Sequence, residues 1–331
     1  MSTNSGLEYV TCGLCGEDDT EKVFDVPVRS DQIGIYVRDS WPVVRCRRCG
    51  LVYVNPRIDA AARNAYYEFK NPVDFEFVHA WFVNNADLQR ATWQRFLRVI
   101  QRYCPTGRLL DVGCGTGSFL IEAQNSGYTV LGQEVAPYFV KFCRAQHGLT
   151  VYEGDLGTLT LDPASFDCVT AFDVIEHHPN PRQMLRQIRR LLKPGGVIVI
   201  STHDIGNFFA RLYGRRWRHM NPIGHLTFFT RPTLAKLLVA CGFRVQQSGG
   251  LHTIDTRRSA EWRRRVLQFL RVILLRTLIL ALYKPVAEHL PLLRRWEFKW
   301  NGNRLTHDKL LVRAGKQIII DDDMVFLAEA I

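Results

Sequence analysis

The chain has 331 residues, 47% of them hydrophobic, and this length and content support a substantial core with room for one large domain and smaller ones. They exclude a chain that is disordered throughout. The formal net charge of +11 and the pI of about 9.4 favour acidic partners, namely phosphorylated small molecules, nucleic acid or an anionic membrane surface.

The number and spacing of the cysteines indicate the redox state of the protein's compartment. Nine cysteines are an odd number, and four of them lie in paired C-x-x-C spacing. This pattern favours metal binding in a reducing compartment over a disulfide framework. Residues 1–6 are polar and no apolar segment follows, which predicts no signal peptide. We therefore expect a cytoplasmic protein, with peripheral contact to the inner face of the membrane as an open alternative.

The N-terminal segment, residues 1–56, contains two matching cysteine knuckles. Each has the form C-x-x-C-G, so both thiolates can reach one ion while the glycine permits a tight turn. Four thiolates suit a closed, structural tetrahedral zinc site, and short strands are expected at 22–28, 32–37, 43–44 and 51–54. The sequence thus predicts a zinc ribbon; four unrelated buried cysteines or a redox pair are the alternatives. The predicted ligands are Cys12, Cys15, Cys46 and Cys49.

Residues 57–104 are predicted to form a helical cap or linker. Helices are expected at 60–69 and at 87–103, where apolar residues recur at helical spacing. Several aromatic residues between positions 66 and 82 could line a substrate pocket, although ordinary packing explains each of them as well.

A glycine-rich stretch at 109–117, Leu-Leu-Asp-Val-Gly-Cys-Gly-Thr-Gly, is typical of an apolar strand that turns into a helix. Glycine tolerates φ > 0 and lets a ligand approach the backbone, and a helix N-terminus offers free N–H groups. Such turns also occur simply to pack a helix on a sheet. A second apolar run, 129–133, ends at Glu134, whose carboxylate could accept hydrogen bonds from both ribose hydroxyls of a nucleoside.

These residues resemble the motifs of class I S-adenosylmethionine (SAM)-dependent methyltransferases of the quinone- and sugar-modifying type. Further motifs in the same order support the resemblance, at 153–156, 165–169, 173–177 and 191–196. The spacing G-x-G-x-G makes a nicotinamide dinucleotide site the weaker alternative. The resemblance implies SAM as cofactor. The residues it implies for cofactor binding are Asp111, Gly113, Cys114, Gly115, Thr116, Gly117, Glu134, Asp155, Leu156, Asp173 and Val174.

The predicted fold class is α/β, with a doubly wound, mostly parallel seven-stranded sheet in a methyltransferase domain at 105–250. Helices are expected near 118–126, 137–147, 181–192 and 231–241. The strand at 243–247 is predicted to be an antiparallel edge. Because ligands lie outside the carboxyl ends of the strands in such sheets, motifs distant in sequence should converge there.

Histidines at these strand ends are the candidate bases. Methyl transfer from a sulfonium needs the acceptor positioned and its proton removed, and an imidazole suits a hydroxyl acceptor. His177 follows the fourth strand, His203 ends the fifth, and His225 lies in an insertion on the substrate side. The alternative for each is a polar residue that holds a loop, and for His178 this structural role is preferred.

The extension at 251–331 has the weakest pattern in the chain. Residues 262–283 form a basic amphipathic pattern with internal arginines, which is too short and too polar for a membrane span. It could lie in a membrane interface or pack on the domain or on a second subunit.

The leading functional hypothesis is O-methylation of a small molecule, a sugar or an intermediate of polysaccharide or secondary metabolism, phosphorylated or lipid-linked. An RNA methyltransferase that binds nucleic acid through the ribbon is disfavoured, because the 173–177 loop lacks the Asn/Asp-Pro-Pro-Tyr/Phe sequence used for base nitrogens. Two more hypotheses are a membrane-associated lipid or quinone methyltransferase and a non-catalytic scaffold.

Overall fold

The computed structural model describes residues 6–27, 39–64, 80, 86–249, 299–300, 303–304 and 323–331. Four predicted features lie outside these residues: the strand at 32–37, the helix at 60–69 beyond residue 64, the aromatic residues between 66 and 82, and the helix at 262–283. One compact unit spans 1–254 and 322–331. The described part of the second unit, 255–321, is a short antiparallel pair, β13 (Lys299–Trp300) and β14 (Asn303–Arg304).

The first unit has two main sheets and a set of covering helices. Its N-terminal strands are β1 (Leu7–Glu8), β2 (Thr20–Pro27), β3 (Ser40–Cys46), β4 (Val52–Val54) and β5 (Arg57–Ile58). Its further strands are β6 (Gly107–Val112), β7 (Tyr128–Glu134), β8 (Val151–Glu153), β9 (Phe166–Phe172), β10 (Leu192–His203), β11 (Thr227–Phe228), β12 (Phe243–Gly249) and β15 (Asp323–Ala330). Its helices are α1 (Ala86–Ile100), α2 (Ser118–Asn125), α3 (Pro137–His147), α4 (Pro181–Leu191), α5 (Phe208–Tyr213) and α6 (Arg231–Ala240).

The large sheet has seven strands in the order β8-β7-β6-β9-β10-β15-β12. Strands β6 to β10 are parallel, while β15 runs antiparallel to both β10 and β12. This confirms the predicted fold class. Apolar residues fill the sheet, as expected when both faces are covered.

The predicted edge strand is present but its direction was wrong. β12 lies at the edge of the sheet, yet it is parallel to β10, because the antiparallel strand β15 lies between them. The border predicted at residue 250 therefore leaves out one strand of the sheet. Five consecutive residues of β15, 324–328, are at most 1% exposed, so this strand belongs to the core rather than to an appendage.

The small sheet has the order β11-β4-β3-β2. Its first three strands in sequence are the predicted ribbon strands, and its fourth, β11, comes from the insertion after β10. Apolar side chains of both segments pack together, among them Trp41, Val43, Trp217 and Phe228. The ribbon is thereby joined to the substrate-side insertion. Among the described residues, no helix has both the length and the apolar character needed to cross a bilayer.

Candidate functional site

The four predicted zinc ligands come together at one end of the ribbon. The sulfurs of Cys12, Cys15, Cys46 and Cys49 all lie within 4.8 Å of one another, and none forms a disulfide. Two of the Sγ–Sγ distances are 3.4 Å (Cys12 to Cys49) and 3.5 Å (Cys15 to Cys46). Tetrahedral zinc with Zn–S bonds of about 2.3 Å places its sulfurs about 3.8 Å apart, so the donor set fits this ion.

The two knuckles are built alike. The Gly16 amide donates to the Cys12 carbonyl at 2.8 Å, and the Gly50 amide donates to the Cys46 carbonyl at 2.9 Å. Both glycines have φ of 81°, a left-handed value that the turn requires and that a side chain would strain. Arg182 of α4 donates from its guanidinium to the carbonyl of Leu14. The first knuckle is therefore held against helix α4.

The glycine turn forms a cradle between β6 and α2. Gly113, Gly115 and Gly117 have φ of 69°, 52° and 76°. A Cβ at Gly113 would lie 2.5 Å from a methyl group of Val174, and one at Gly117 would lie 2.6 Å from Leu149. A Cβ at Gly115 would meet no atom within 4 Å. Two glycines thus permit packing, while Gly115 faces open space that a ligand can fill.

The remaining turn residues differ in their environment. The Cys114 side chain is buried among apolar residues of the core rather than facing the cradle. Thr116 is 4% exposed, and its hydroxyl oxygen has no hydrogen-bond partner among the described residues. An orphaned hydroxyl next to the open space at Gly115 fits a site completed by a polar ligand.

Asp111 is a buried acid near the end of β6. Its Oδ1 accepts a hydrogen bond from the Thr170 hydroxyl at 2.6 Å. Burial raises the pKa of this carboxyl to about 7, against the lowering effect of the Thr170 hydrogen bond. A buried carboxyl with this pKa is poised to ionise when a positive group approaches.

Glu134 ends β7 and is 8% exposed. Its Oε1 accepts from the amides of Val135 (2.7 Å) and Ala136 (3.0 Å), and its Oε2 accepts from the Gly115 amide at 2.9 Å. A carboxylate offers about four acceptor positions, so three are already used. One ribose hydroxyl can add to Oε2, whereas the predicted contact with both hydroxyls requires Glu134 to release an amide.

Gln133 joins two parts of the predicted cofactor site and was missed from sequence. Its side-chain nitrogen donates to the Gly154 carbonyl at 2.6 Å, and its side-chain oxygen accepts from the Gly113 amide at 3.3 Å. It therefore ties the glycine turn to the turn after β8. The signal in the sequence was a polar residue at the end of an otherwise apolar strand.

In the turn after β8, Asp155 caps a short 3₁₀ segment at 156–158 by accepting from the Gly157 amide. Its other oxygen lies 3.4 Å from His178 Nε2, and this hydrogen-bonding interaction lowers the pKa of Asp155. His178 thus has the structural role preferred from sequence. Leu156 is buried in the core beneath the turn.

Asp173 follows β9 in a left-handed conformation, with φ of 56°. Its amide donates to the Ser201 carbonyl at 3.0 Å, and its Oδ1 accepts from the Ser201 hydroxyl at 2.9 Å. This conformation costs a non-glycine residue roughly 1–2 kcal/mol. The strained turn places Val174 against Gly113 and so brings the fourth strand's loop to the cradle.

The three predicted histidines lie in one cluster beside Asp173. The ring centroids of His177 and His225 are 4.7 Å apart, and those of His203 and His225 are 5.2 Å apart. Nδ1 of His177 lies 2.8 Å from the Gly224 carbonyl and Nδ1 of His225 lies 2.7 Å from the His219 carbonyl. A carbonyl can only accept, so both Nδ1 atoms donate and both Nε2 atoms keep a lone pair.

The histidines divide into neutral and charged rings. Burial lowers the pKa of His177 to about 4 and lowers that of His225 well below its usual value. Burial would also lower the pKa of His203, but the Asp323 hydrogen bond and the charges of Asp173 and Glu176 raise it to about 9. His177 and His225 are therefore the neutral imidazoles of the cluster, and His203 is its cation.

Two members of the cluster were not predicted from sequence. Asp323, the first residue of β15, lies 2.5 Å from Nδ1 of His203, and the His219 ring stacks on His203 at 3.5 Å between centroids. A signal for Asp323 was the acidic residue before the apolar run 324–328, but its partner is 120 positions away. His219 shares the insertion with His225, and this density of histidines was its only signal.

The ribbon and the histidine cluster are linked through the backbone. The amides of Leu226 and Thr227 both donate to the Glu176 carbonyl, at 2.8 and 3.1 Å. The segment that begins at Leu226 continues as β11, which pairs with ribbon strand β4. The ribbon therefore supports the segment that carries His225 and the loop that carries His177.

Known proteins share sequence with the central part of this chain. Residues 64–248 match the family model described as a methyltransferase domain. Ubiquinone biosynthesis O-methyltransferase of Xanthomonas campestris pv. campestris (strain B100) is 35% identical over 104 residues, which is 30% of this chain and 44% of that protein. The biotin biosynthesis bifunctional protein BioHC of Cellvibrio japonicus is 30% identical over 150 residues, 45% of this chain and 30% of that protein. These matches span less than half the length of either relative.

Solved structures are similar to this chain at lower sequence identity. A SAM-dependent methyltransferase from Thermotoga maritima, described as a possible histamine N-methyltransferase, has a TM-score of 0.44 and 23% identity, covering 55% of this chain and 82% of its own. The complex between the Haloferax volcanii Trm112 methyltransferase activator and a methyltransferase gives a TM-score of 0.48 and 16% identity, covering 76% of this chain and 96% of the matched chain.

Proposed function

The chain belongs to the methyltransferase domain family, and from that premise we propose that it uses SAM to methylate an oxygen of a small-molecule acceptor. The observation that carries the proposal is the convergence of the glycine cradle and the histidine cluster at the carboxyl ends of β6, β7, β9 and β10. The relatives named as ubiquinone biosynthesis O-methyltransferases support oxygen as the acceptor atom.

The cradle residues fit SAM. In the proposed arrangement Asp111 lies toward the amino-acid end of the cofactor, Glu134 accepts from a ribose hydroxyl, and Asp155 with Leu156 borders the adenine. The turn 113–117, Asp173 and Val174 complete the wall. When bound, the cofactor supplies the activated methyl group, so the protein's own task is to position the acceptor and take up its proton.

We propose the histidine cluster for this second task. As the acceptor oxygen forms its bond to the methyl carbon, the carbon–sulfur bond breaks with its electrons on sulfur, and the hydroxyl proton must leave. The neutral rings of His177 and His225 have an Nε2 lone pair that can receive it. His203, held charged by Asp323, is suited to attract an anionic acceptor.

Structural zinc is proposed for the four-cysteine site. Its donor set is closed, with four sulfurs and no place for substrate, so its role is to hold the ribbon. Nucleic-acid binding by the ribbon is disfavoured by its charge pairing. Each of its knuckle-side arginines has an acidic partner: Arg45 with Glu21, Arg47 with Asp19 and Arg48 with Glu17.

A sugar-type acceptor that carries phosphate fits the substrate-side insertion, which is rich in arginine at positions 211, 215, 216 and 218. A lipid or quinone acceptor is the second candidate, favoured by exposed apolar residues on α5. Phe208 is 70% exposed and Leu212 is 62% exposed, and both lie beside the arginines. Such a mixed surface suits the interface of an anionic membrane.

Calorimetric titration with S-adenosylhomocysteine tests the cofactor site. We expect micromolar binding by the wild type and none by the Asp111→Ala/Glu134→Ala double variant. Zinc content measured on the same samples shows that the ribbon is intact. Absence of binding by a folded, zinc-loaded wild type would refute the enzyme assignment.

Sedimentation with anionic vesicles separates the two acceptor classes. If the acceptor is membrane-bound, Phe208→Ser/Leu212→Ser should lose vesicle binding while keeping S-adenosylhomocysteine affinity. A wild type that stays in the supernatant leaves the phosphorylated sugar as the preferred acceptor.

A further inference from the structure

Glu176 is a carboxyl group buried beside the histidine cluster. It follows β9, is 2% exposed, and neither of its two oxygens has a hydrogen-bond partner among the described residues. Nε2 of the charged His203 is 3.6 Å from Oε1, which is beyond hydrogen-bond distance but within ion-pair distance. Removing a carboxylate from water costs several kcal/mol unless something replaces the lost hydration. The His203 cation beside Glu176 replaces only part of this hydration, because neither oxygen has a hydrogen bond of ordinary geometry among the described residues.

His177 and His225 adjoin this carboxylate in an orientation typical of metal ligands. Each donates Nδ1–H to a backbone carbonyl, Gly224 for His177 and His219 for His225. Histidines that bind metals almost always donate their second nitrogen in this way, which fixes the ring and leaves the other nitrogen as a ligand. Ligand atoms of Glu176, His177 and His225 all lie within 4.8 Å of one another.

We propose that Glu176, His177 and His225 bind a divalent first-row transition metal ion, Zn²⁺ by the nature of the donors, with a coordination position left open. Two imidazoles and one carboxylate are the donor set of open catalytic zinc sites, in contrast to the closed set of four thiolates in the ribbon. Glu176 is buried and the two histidines are partly accessible, so the ion would be reached from one side.

This inference rests on the proposed function and gives the acceptor proton another route, because Nε2 of His177 and of His225 would bind the ion instead of receiving the proton. An acceptor hydroxyl at the open position has its pKa lowered by the cation, and its proton passes to solvent. The oxygen lone pair then forms the bond to the methyl carbon, while the carbon–sulfur bond breaks and its electron pair stays on sulfur. Without the ion, a protonated Glu176 would still leave at least one of its oxygens without a hydrogen-bond partner. A bound ion would supply the missing interaction.

Metal content of the full-length protein tests the proposal. After zinc loading and gel filtration, we expect two ions per wild-type chain and one ion in either Glu176→Gln or His225→Ala. The exposed His147→Asn is the matched control and should keep two. Cobalt substitution identifies the ion that remains, because the four-cysteine site gives a strong thiolate-to-cobalt absorption band that the His/Glu site cannot give.

Titration with S-adenosylhomocysteine on the same samples separates this inference from the proposed function. Cofactor affinity should be unchanged in both variants, since in the described part of the chain the hydrogen bonds of Glu176 and His225 go to residues outside the cradle. One ion per wild-type chain together with normal cofactor affinity would overturn the metal site and leave the methyltransferase assignment standing. A second ion that persists in both variants would lie elsewhere and would also overturn it. Two independent variants are used so that misfolding of one of them is not mistaken for loss of the metal site.

Discussion

Burial shifts the pKa values of single residues in the cradle. Asp111 is 3% exposed, and its pKa of about 7 lies far above that of an exposed aspartate because the charged form is poorly solvated. A ligand that brings a positive amino group stabilises the charged form and lowers this pKa on binding. Cofactor binding should therefore release a proton from Asp111 near neutral pH.

The resulting pH dependence has a defined sign. Affinity for S-adenosylhomocysteine should rise about tenfold from pH 6 to pH 8, because at the lower pH binding must first ionise Asp111. Calorimetry in buffers of different ionisation enthalpy measures both the affinity and the released proton. Asp111→Asn is expected to bind more weakly and without this dependence. A wild-type affinity that is flat over this range would contradict the assignment of the Asp111 pKa.

Two glycines of the same turn should respond differently to alanine. Gly113→Ala places a Cβ 2.5 Å from Val174, whereas Gly115→Ala places one in open space. Both positions have positive φ, so each substitution adds about 1 kcal/mol of backbone strain. We expect Gly113→Ala to lose a further 1–3 kcal/mol or so of unfolding free energy through overpacking.

Gly115→Ala should instead lose cofactor affinity by about tenfold or more, since its Cβ would occupy the ligand's space. Urea unfolding and calorimetry on the two variants distinguish these effects. If the two variants lost the same affinity and had the same stability, Gly115 would not face the cofactor.

At the scale of elements, the zinc ribbon supports the acceptor side of the site. Strand β11 pairs with ribbon strand β4, and the two residues that begin this segment donate to the Glu176 carbonyl. Because structural zinc sites supply folding free energy, losing the ion should loosen this chain of contacts. The cofactor cradle lies on β6 and β7, which the ribbon strands do not pair with.

Disruption of the cysteine site should therefore act locally. In Cys49→Ser, hydrogen exchange is expected to accelerate at the amides of Val54, Leu226 and Thr227, while affinity for S-adenosylhomocysteine changes little. Cys104→Ser is the control, because Cys104 is a buried cysteine outside the cluster and a serine can keep its hydrogen bond to the Thr106 carbonyl. Unchanged exchange in Cys49→Ser would show that the ribbon folds without its metal.

At the scale of the whole molecule, the last strand completes a sheet whose first strand, β6, begins at residue 107. Phe326 of β15 is 1% exposed and lies between β10 and β12 in the sheet. Without β15, β12 would lose its partner in the sheet and β10 would keep only β9, so that apolar side chains would be exposed. The C-terminal residues are thus needed for the fold as well as for Asp323.

Truncating this side chain should be strongly destabilising. Phe326→Ala is expected to lower the unfolding free energy by about 3–5 kcal/mol, the usual range for a buried phenylalanine. Ile331→Ala, at a position 63% exposed, should change it by less than about 0.5 kcal/mol. Urea denaturation of both variants compares them directly. A loss below about 1 kcal/mol for Phe326→Ala would mean that β15 is not part of the stable sheet.

Local patterns in the sequence determined a large part of this protein. The fold class, the helices at 118–125, 137–147 and 181–191, the paired cysteine knuckles and the cofactor motifs all depend on residues near one another in the chain. Glycine spacing, apolar periodicity and C-x-x-C pairs act over a few residues, so they can be recognised without coordinates. Their convergence followed from the rule that parallel strands share a carboxyl-end edge.

The tertiary structure alone decided what depends on distant contacts. It placed β15 inside the sheet and so reversed the expected direction of β12, and it brought Asp323 to His203 across 120 positions. It also joined β11 to the ribbon and buried Glu176 beside His203 and two oriented histidines. Strand order and burial are set by the packing of the whole core, and a residue's partners and its pKa follow from that packing rather than from its neighbours in the chain.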